Sequence, residues 1–206
     1  MDGVFMKKII RLLICTITIL VFLELFLLYK EQKSLKENII RLHVVANSDS
    51  DEDQQLKIQL KDAIVEKLQP IVSGFSDKIQ AKEYIFENLS YIEQLSKEIL
   101  RQLGATNEVS VSLQMEEFDT RVYDTFSLPS GLYDALRIEI GNGDGKNWWC
   151  VVFPSLCVPA TSDDFQTVST ASGFSQTLTN TLQQKNGYEI RFFLLDCLGR
   201  LENLFH

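Results

Sequence analysis

Residues 128–158 read LPSGLYDALRIEIGNGDGKNWWCVVFPSLCV, and the fold turns on how this stretch is understood. Pro129-Ser130-Gly131 is a turn signal, after which Leu136, Ile138 and Ile140 alternate with Arg137 and Glu139 at the period of a half-buried strand. Such a strand needs a partner. The glycine-rich run 141–147 supplies a turn in which positive φ carries no steric cost, and Trp148 to Phe153 follows as an unbroken apolar run. The pattern predicts a β-hairpin whose second strand is buried on both faces. Two adjacent tryptophans in a strand point to opposite sides, so Trp148 and Trp149 cannot fill one core. Either both are structural, since large aromatics dominate burial, or the outer one, with Tyr133 and Asn147 nearby, anchors a partner.

Upstream, Val109, Val111, Leu113 and Met115 alternate strictly with Ser110, Ser112 and Gln114, which predicts a strand over 108–116 that residues 121–126 extend or return. Ile40, Leu42 and Val44 alternate with Arg41 and His43, predicting a strand over 39–45 with a polar second face. Asn47-Ser48-Asp49-Ser50 then caps a helix with the stripe Leu56, Leu60, Ala63, Ile64, Leu68, ending before Pro70. Asp49-x-Asp51-x-Asp53 resembles the start of a calcium loop, but that loop's glycine and glutamate positions hold Gln54 and Leu60, so the aspartates are assigned to the helix terminus. Ile85, Leu89, Ile92, Ile99 and Leu103 continue the helical period over 77–103, with an interruption near 88–90 and Gly104 as the stop.

Downstream, residues 161–164 punctuate the chain, and Phe174, Leu178 and Leu182 predict a moderately polar helix ending near Asn186-Gly187. In the last segment Ile190, Phe193, Leu194, Cys197, Leu198 and Leu201 share one helical face, which Phe192 and Leu195 broaden; a strand from Tyr188 is the alternative.

Residues 1–37 are an export signal or membrane anchor. Lys7, Lys8 and Arg11 precede LLICTITILVFLELFLLY, residues 12–29, broken only by Glu24. Eighteen helical residues rise about 27 Å, near the roughly 30 Å of a bilayer core, and the basic flank leaves the N-terminus in the cytoplasm. No small-residue cleavage site follows Tyr29, which favours an uncleaved anchor over a cleaved signal; Met6, directly before the basic pair, is a second candidate start. The remainder, 38–206, has no repeat or long linker and reads as one α+β domain with an antiparallel or mixed sheet packed against helices.

The charge is uneven. Residues 1–37 carry six basic and four acidic side chains, leaving 14 against 24 from residue 38 onward, a net of −10. So acidic a domain is repelled by phosphate backbones, which argues against nucleic acid as a partner. The four cysteines, Cys15, Cys150, Cys157 and Cys197, show no zinc spacing. In an exported domain Cys150 and Cys157, either side of a turn at Pro154-Ser155, are the candidate disulfide; two reduced, buried thiols are the other reading.

Neither a cofactor nor a metal is implied, and the sequence has no GxSxG, HExxH, P-loop or GxGxxG. His43 and His206 are its histidines, and His43 is the one plausible base. The carboxylate clusters Asp51-Glu52-Asp53, Glu116-Glu117 and Asp163-Asp164 read as solvated charge.

Two blocks carry a resemblance. IIRLHVVANSDSDEDQQLKIQLKDAI, residues 39–64, and PSGLYDALRIEIGNGDGKNWWCVVFPSLC, residues 129–157, closely resemble the stage II sporulation protein R (SpoIIR) family of endospore-forming Gram-positive bacteria. The resemblance implies a signalling protein made in the forespore and exported across its membrane into the intermembrane space, anchored or secreted. There it would activate the membrane-embedded aspartic protease SpoIIGA, which removes the pro-sequence of sigma-E in the mother cell. It implies no catalytic residues; the motif positions His43, Asn47, Ser48, Asp49, Tyr133, Asp134, Asn147, Trp148 and Trp149 are a hypothesised contact surface. The competing expectations are an extracytoplasmic cell-wall hydrolase using His43, and a wall- or peptide-binding module.

Overall fold

A computed structural model describes residues 3–157, 162–185 and 187–205. A long helix, α1 (Gly3–Asn38), passes through one linking residue into β1 (Ile40–Val45). Three helices follow, α2 (Asp51–Val72), α3 (Lys78–Glu87) and α4 (Leu89–Gln102), then β2 (Val109–Phe118) and the short pair β3 (Arg121–Val122) and β4 (Ser127–Leu128). The chain continues through β5 (Gly131–Ile140), β6 (Asn147–Phe153), α5 (Ser162–Ala171), α6 (Gln176–Leu182) and α7 (Glu189–Asn203). The fold is α+β: a mixed four-stranded sheet, order β2-β5-β1-β6, with helices on both faces behind a long apolar N-terminal helix.

On the first face Leu42, Val44, Leu136 and Ile138 pack against Leu60, Ile64 and Leu68 of α2 and Ile92 and Leu100 of α4. Burying each such side chain contributes about 1.5–3 kcal/mol, so the regular spacing of this stripe holds α2 to the sheet. Ser50 caps α2, accepting from the Asp53 amide at 3.2 Å, and Asp51, Glu52 and Asp53 complement the helix dipole. Pro70 lies inside α2 rather than beyond it, because Val72, in the last turn, is fully buried. A proline near the helix end sacrifices one amide bond while the following residues still pack. The predicted interruption in the next helix falls at Asn88, and Gly104 takes φ +83° just past α4.

The predicted hairpin is absent. β1 lies between β5 and β6, parallel to β5 with His43 opposite Arg137, and antiparallel to β6 with His43 opposite Trp149. Neighbouring strands are about 4.8 Å apart, so residues 141–146 cross roughly twice that distance over the end of β1. The Gly145 amide donates to the Ala46 carbonyl at 2.9 Å along this crossing. Local alternation is the same for adjacent strands and for strands with a third between them. For the same reason β1 has no polar exposed face: Arg41 and His43 are buried, because β1 is central and its second face is roofed.

That roof contains Leu28 and Leu35 of α1, Phe165 of α5, Leu178 and Leu182 of α6, and Phe192 and Leu195 of α7, packed on Tyr133, Ala135 and Val151. Thus α1 and the domain share a core, across the sequence boundary at 37/38. Residues 162–164 open helix α5, and Gly173, at φ +79°, separates it from α6, which ends at Leu182. Thr161, Asn186 and His206 lie outside the described residues. The last segment is a helix, but its buried residues are Phe192, Leu195, Asp196 and Gly199, while Ile190, Phe193, Leu194 and Leu201 of the predicted face are exposed. Gly199 sets this orientation, since a Cβ there would collide with the Ser130 carbonyl. Asp196 completes the contact by accepting from the Ser130 amide at 2.7 Å.

Candidate functional site

The side chains on the second face of β1 converge with those of three other strands. His43 Nδ1 lies 2.8 Å from Glu116 Oε2, and its Nε2 lies 2.9 Å from Asn147 Oδ1. Trp149 stacks on the imidazole with ring centroids 3.7 Å apart, and Phe118 meets Trp149 edge-on at 4.8 Å. Arg137 approaches both members of the pair, 3.3 Å from His43 Nδ1 and 3.5 Å from Glu116 Oε1, and binds Glu139 at 2.7 Å. Burial acts to raise Glu116, but hydrogen bonds from His43 and Gln114 and the charges of His43 and Arg137 outweigh it and hold the carboxyl below its ordinary value. A general base needs a free lone pair within reach of a substrate, whereas each ring nitrogen of His43 already faces a partner in a buried setting.

Arg41, one step back along β1, is fully buried without a carboxylate partner among the described residues. Its guanidinium lies 4.0 Å from the Phe118 ring centroid, and Nη2 donates to the Tyr123 hydroxyl at 2.9 Å. Burial pulls its pKa down, against the opposing influence of Tyr123 and Tyr133.

Asn47, Ser48 and Asp49 are engaged at the end of β1. Asn47 Nδ2 and Ser48 Oγ both donate to Asp53 Oδ2, at 2.9 and 2.5 Å, which keeps that carboxyl low. Asn47 Oδ1 accepts from the Asn142 amide at 3.1 Å and Asp49 Oδ1 from the Lys146 amide at 2.7 Å. Buried Lys57 of α2 holds the Lys146 carbonyl at 2.8 Å. The two blocks quoted from the sequence are therefore one structural unit, the glycine loop laid over the cap of α2.

Trp148 points to the first face, 37% exposed, with Lys61 Nζ 4.7 Å from its ring centroid. Tyr133 is a core residue, 1% exposed, its hydroxyl donating to the Pro129 carbonyl at 2.8 Å; burial raises its pKa. It is thus no part of a surface. Asp134 pairs with Lys78 and Lys82 of α3 at 2.6 and 2.7 Å. Burial raises its carboxyl, yet these two lysines more than compensate and leave it low. Eight of the nine motif residues consequently divide among the His43 cluster, the loop at the end of β1, and the first face, and the ninth, Tyr133, is in the core. Cys150 and Cys157 form a disulfide, with Cα atoms 5.2 Å apart.

Sequence reasoning missed Glu116, Arg137, Arg41 and Phe118. Glu116 in particular is no solvated charge, with a side chain 10% exposed. No local signal ties it to His43, because the two strands are separated in the sheet by β5. Among the described residues no group of three or more His, Cys, Asp or Glu side chains is disposed to hold a metal.

Residues 36–163, which take in the sheet, α2 to α4 and the entire His43 cluster, match the family model described as stage II sporulation protein R. The fold on its apolar helix is therefore that of a sporulation protein. The chain belongs to the stage II sporulation protein R family. It is 40% identical over 123 residues to "Stage II sporulation protein R" of Bacillus subtilis (strain 168), a match covering 60% of this chain and 55% of the relative. No solved structure matches it.

Proposed function

We propose that the protein is an exported sporulation signal that activates the membrane aspartic protease SpoIIGA and so leads to processing of pro-sigma-E in the mother cell. The observation that carries this reading is the family match across residues 36–163, a segment whose histidine is occupied on both nitrogens and which follows an apolar helix that suits export. It acts as a binding partner and not as a hydrolase, since a saturated, buried His43 offers no base. The contact surface is the rim where the glycine loop meets β6: Asp49, Asn147 and Trp148 are exposed there on a backbone fixed by the Asp49, Asn47 and Lys57 bonds. An effector shifts its receptor only through tighter binding to the active state, and a rigid rim with an exposed tryptophan is suited to that.

The test is coexpression of SpoIIGA, pro-sigma-E and this full chain in a non-sporulating host, following the pro-sequence by size. Processing that depends on the chain supports the proposal. No processing, with the chain exported and its disulfide formed, overturns it.

A further inference from the structure

Helix α7 turns apolar side chains outward as well as into the core, with Glu189 and Arg200 exposed beside the outward ones. Phe192 and Leu195 enter the core, while Ile190, Phe193 and Leu194 face outward, the first two 75% and 63% exposed. An exposed apolar patch of this kind marks a contact with a partner or a membrane. Ion pairs define how α7 lies on α1. Arg191 pairs with Glu24 and with Glu31, its Nη2 3.1 Å from Glu31 Oε2, and Lys36 pairs with Glu202. Early residues meet early and late meet late, so α7 runs parallel to α1 with its N-terminal end toward the apolar stretch.

That stretch must extend past Glu24 to span a bilayer. A core of roughly 30 Å takes about 20 helical residues. Counted from Ile9 the span ends at Leu28, and counted from Leu12 it ends at Glu31. Either way Glu24 lies within it, roughly 6 to 10 Å inside the outer boundary. A cation beside a carboxylate at that depth stabilises its charge, and Arg191 pairs with Glu24 in the structure. Leu28 is already fully buried by the domain, so the bilayer boundary and the domain's edge meet at the first turns of α7.

We propose that the N-terminal end of α7 is a second membrane contact. Ile190, Phe193 and Leu194 enter the outer boundary of the bilayer that α1 crosses, and Arg191 goes with them as the counter-ion of Glu24. The occupant of this apolar face is lipid. The domain is thereby held at a fixed tilt and height above the membrane instead of swinging on a tether. This rests on α1 as a membrane span and not on the identity of the receptor.

The experiment uses the full chain in vesicles of phosphatidylcholine and phosphatidylglycerol. A spin label is placed at Phe193→Cys in a Cys15→Ser, Cys197→Ser background, and its collision rates with oxygen and with a water-soluble nickel chelate are compared. Native Cys15, labelled in a Cys197→Ser chain, marks lipid; Leu204→Cys, 76% exposed beyond the other end of α7, marks water. The expected oxygen-to-nickel ratio at position 193 approaches that at Cys15 and exceeds that at 204 several-fold, and Ile190→Cys repeats it at a second position. Nickel access at 193 and 190 equal to that at 204 overturns the proposal, as does a Cys15 label open to nickel.

Discussion

Glu116 of β2 and His43 of β1 meet at 2.8 Å although a whole strand, β5, separates their strands in the sheet. The contact ties the edge strand to the central one by side chains as well as through the backbone ladder. Replacing Glu116 by Gln weakens a charge-assisted bond in a nearly closed site, and the expected loss is about 1–3 kcal/mol by urea unfolding. The Glu116→Gln, His43→Gln double variant should lose less than the sum of the singles, since one interaction is removed twice.

Acid should act on the same site. Glu116, Asp134 and Asp196 all have folded-state values below their ordinary 4.5, 3.8 and 3.8, burial in each case opposing the shift and hydrogen bonds with nearby cations outweighing it. A depressed carboxyl contributes stability that is present above its unfolded value and lost as pH falls through its folded one. The stability these three carboxyls contribute should therefore be complete above about pH 4.5 and be lost below it, seen as a fall in urea midpoint that Glu116→Gln flattens.

Gly145 is required for lack of a side chain and not for its φ. A Cβ there would lie 2.6 Å from the Ser48 carbonyl carbon and 2.9 Å from the Ala46 methyl. Gly145→Ala should cost about 1–3 kcal/mol, the range of overpacking, with the amides of Gly145 and Lys146 losing protection in hydrogen exchange.

The Cys150–Cys157 bond closes a short loop at the end of β6. Chain-entropy reasoning for a loop of this length gives about 2.5 kcal/mol. Cys157→Ser should lower the urea midpoint accordingly, and reduction of the parent protein should reproduce the effect.

The two tryptophans should separate binding from folding. Trp149 lies between His43 and Phe118, so Trp149→Ala should destabilise by about 3 kcal/mol or more. Trp148→Ala, at the exposed rim, should cost about 1–2 kcal/mol yet abolish pro-sigma-E processing in the coexpression assay. Processing by Trp148→Ala at the parent level would remove the rim as the contact surface.

By itself the sequence determined the period of nearly every element and the α+β class, since side-chain alternation is a local property of strands and helices. Strand 109–118, the cap of α2, the stop at Gly104 and the apolar N-terminal helix are all legible in this way. The two motif blocks likewise pointed to the family. Only the tertiary structure decided which strands are neighbours. Placing β1 between β5 and β6 dissolved the hairpin, buried Arg41 and His43, and brought Glu116 to the imidazole. It also turned α7 so that Gly199 and Asp196 face the domain and the more apolar side faces out. Periodicity marks a side as apolar but does not say what covers it; here backbone proximity at Gly199 and one buried carboxylate outweighed several apolar side chains.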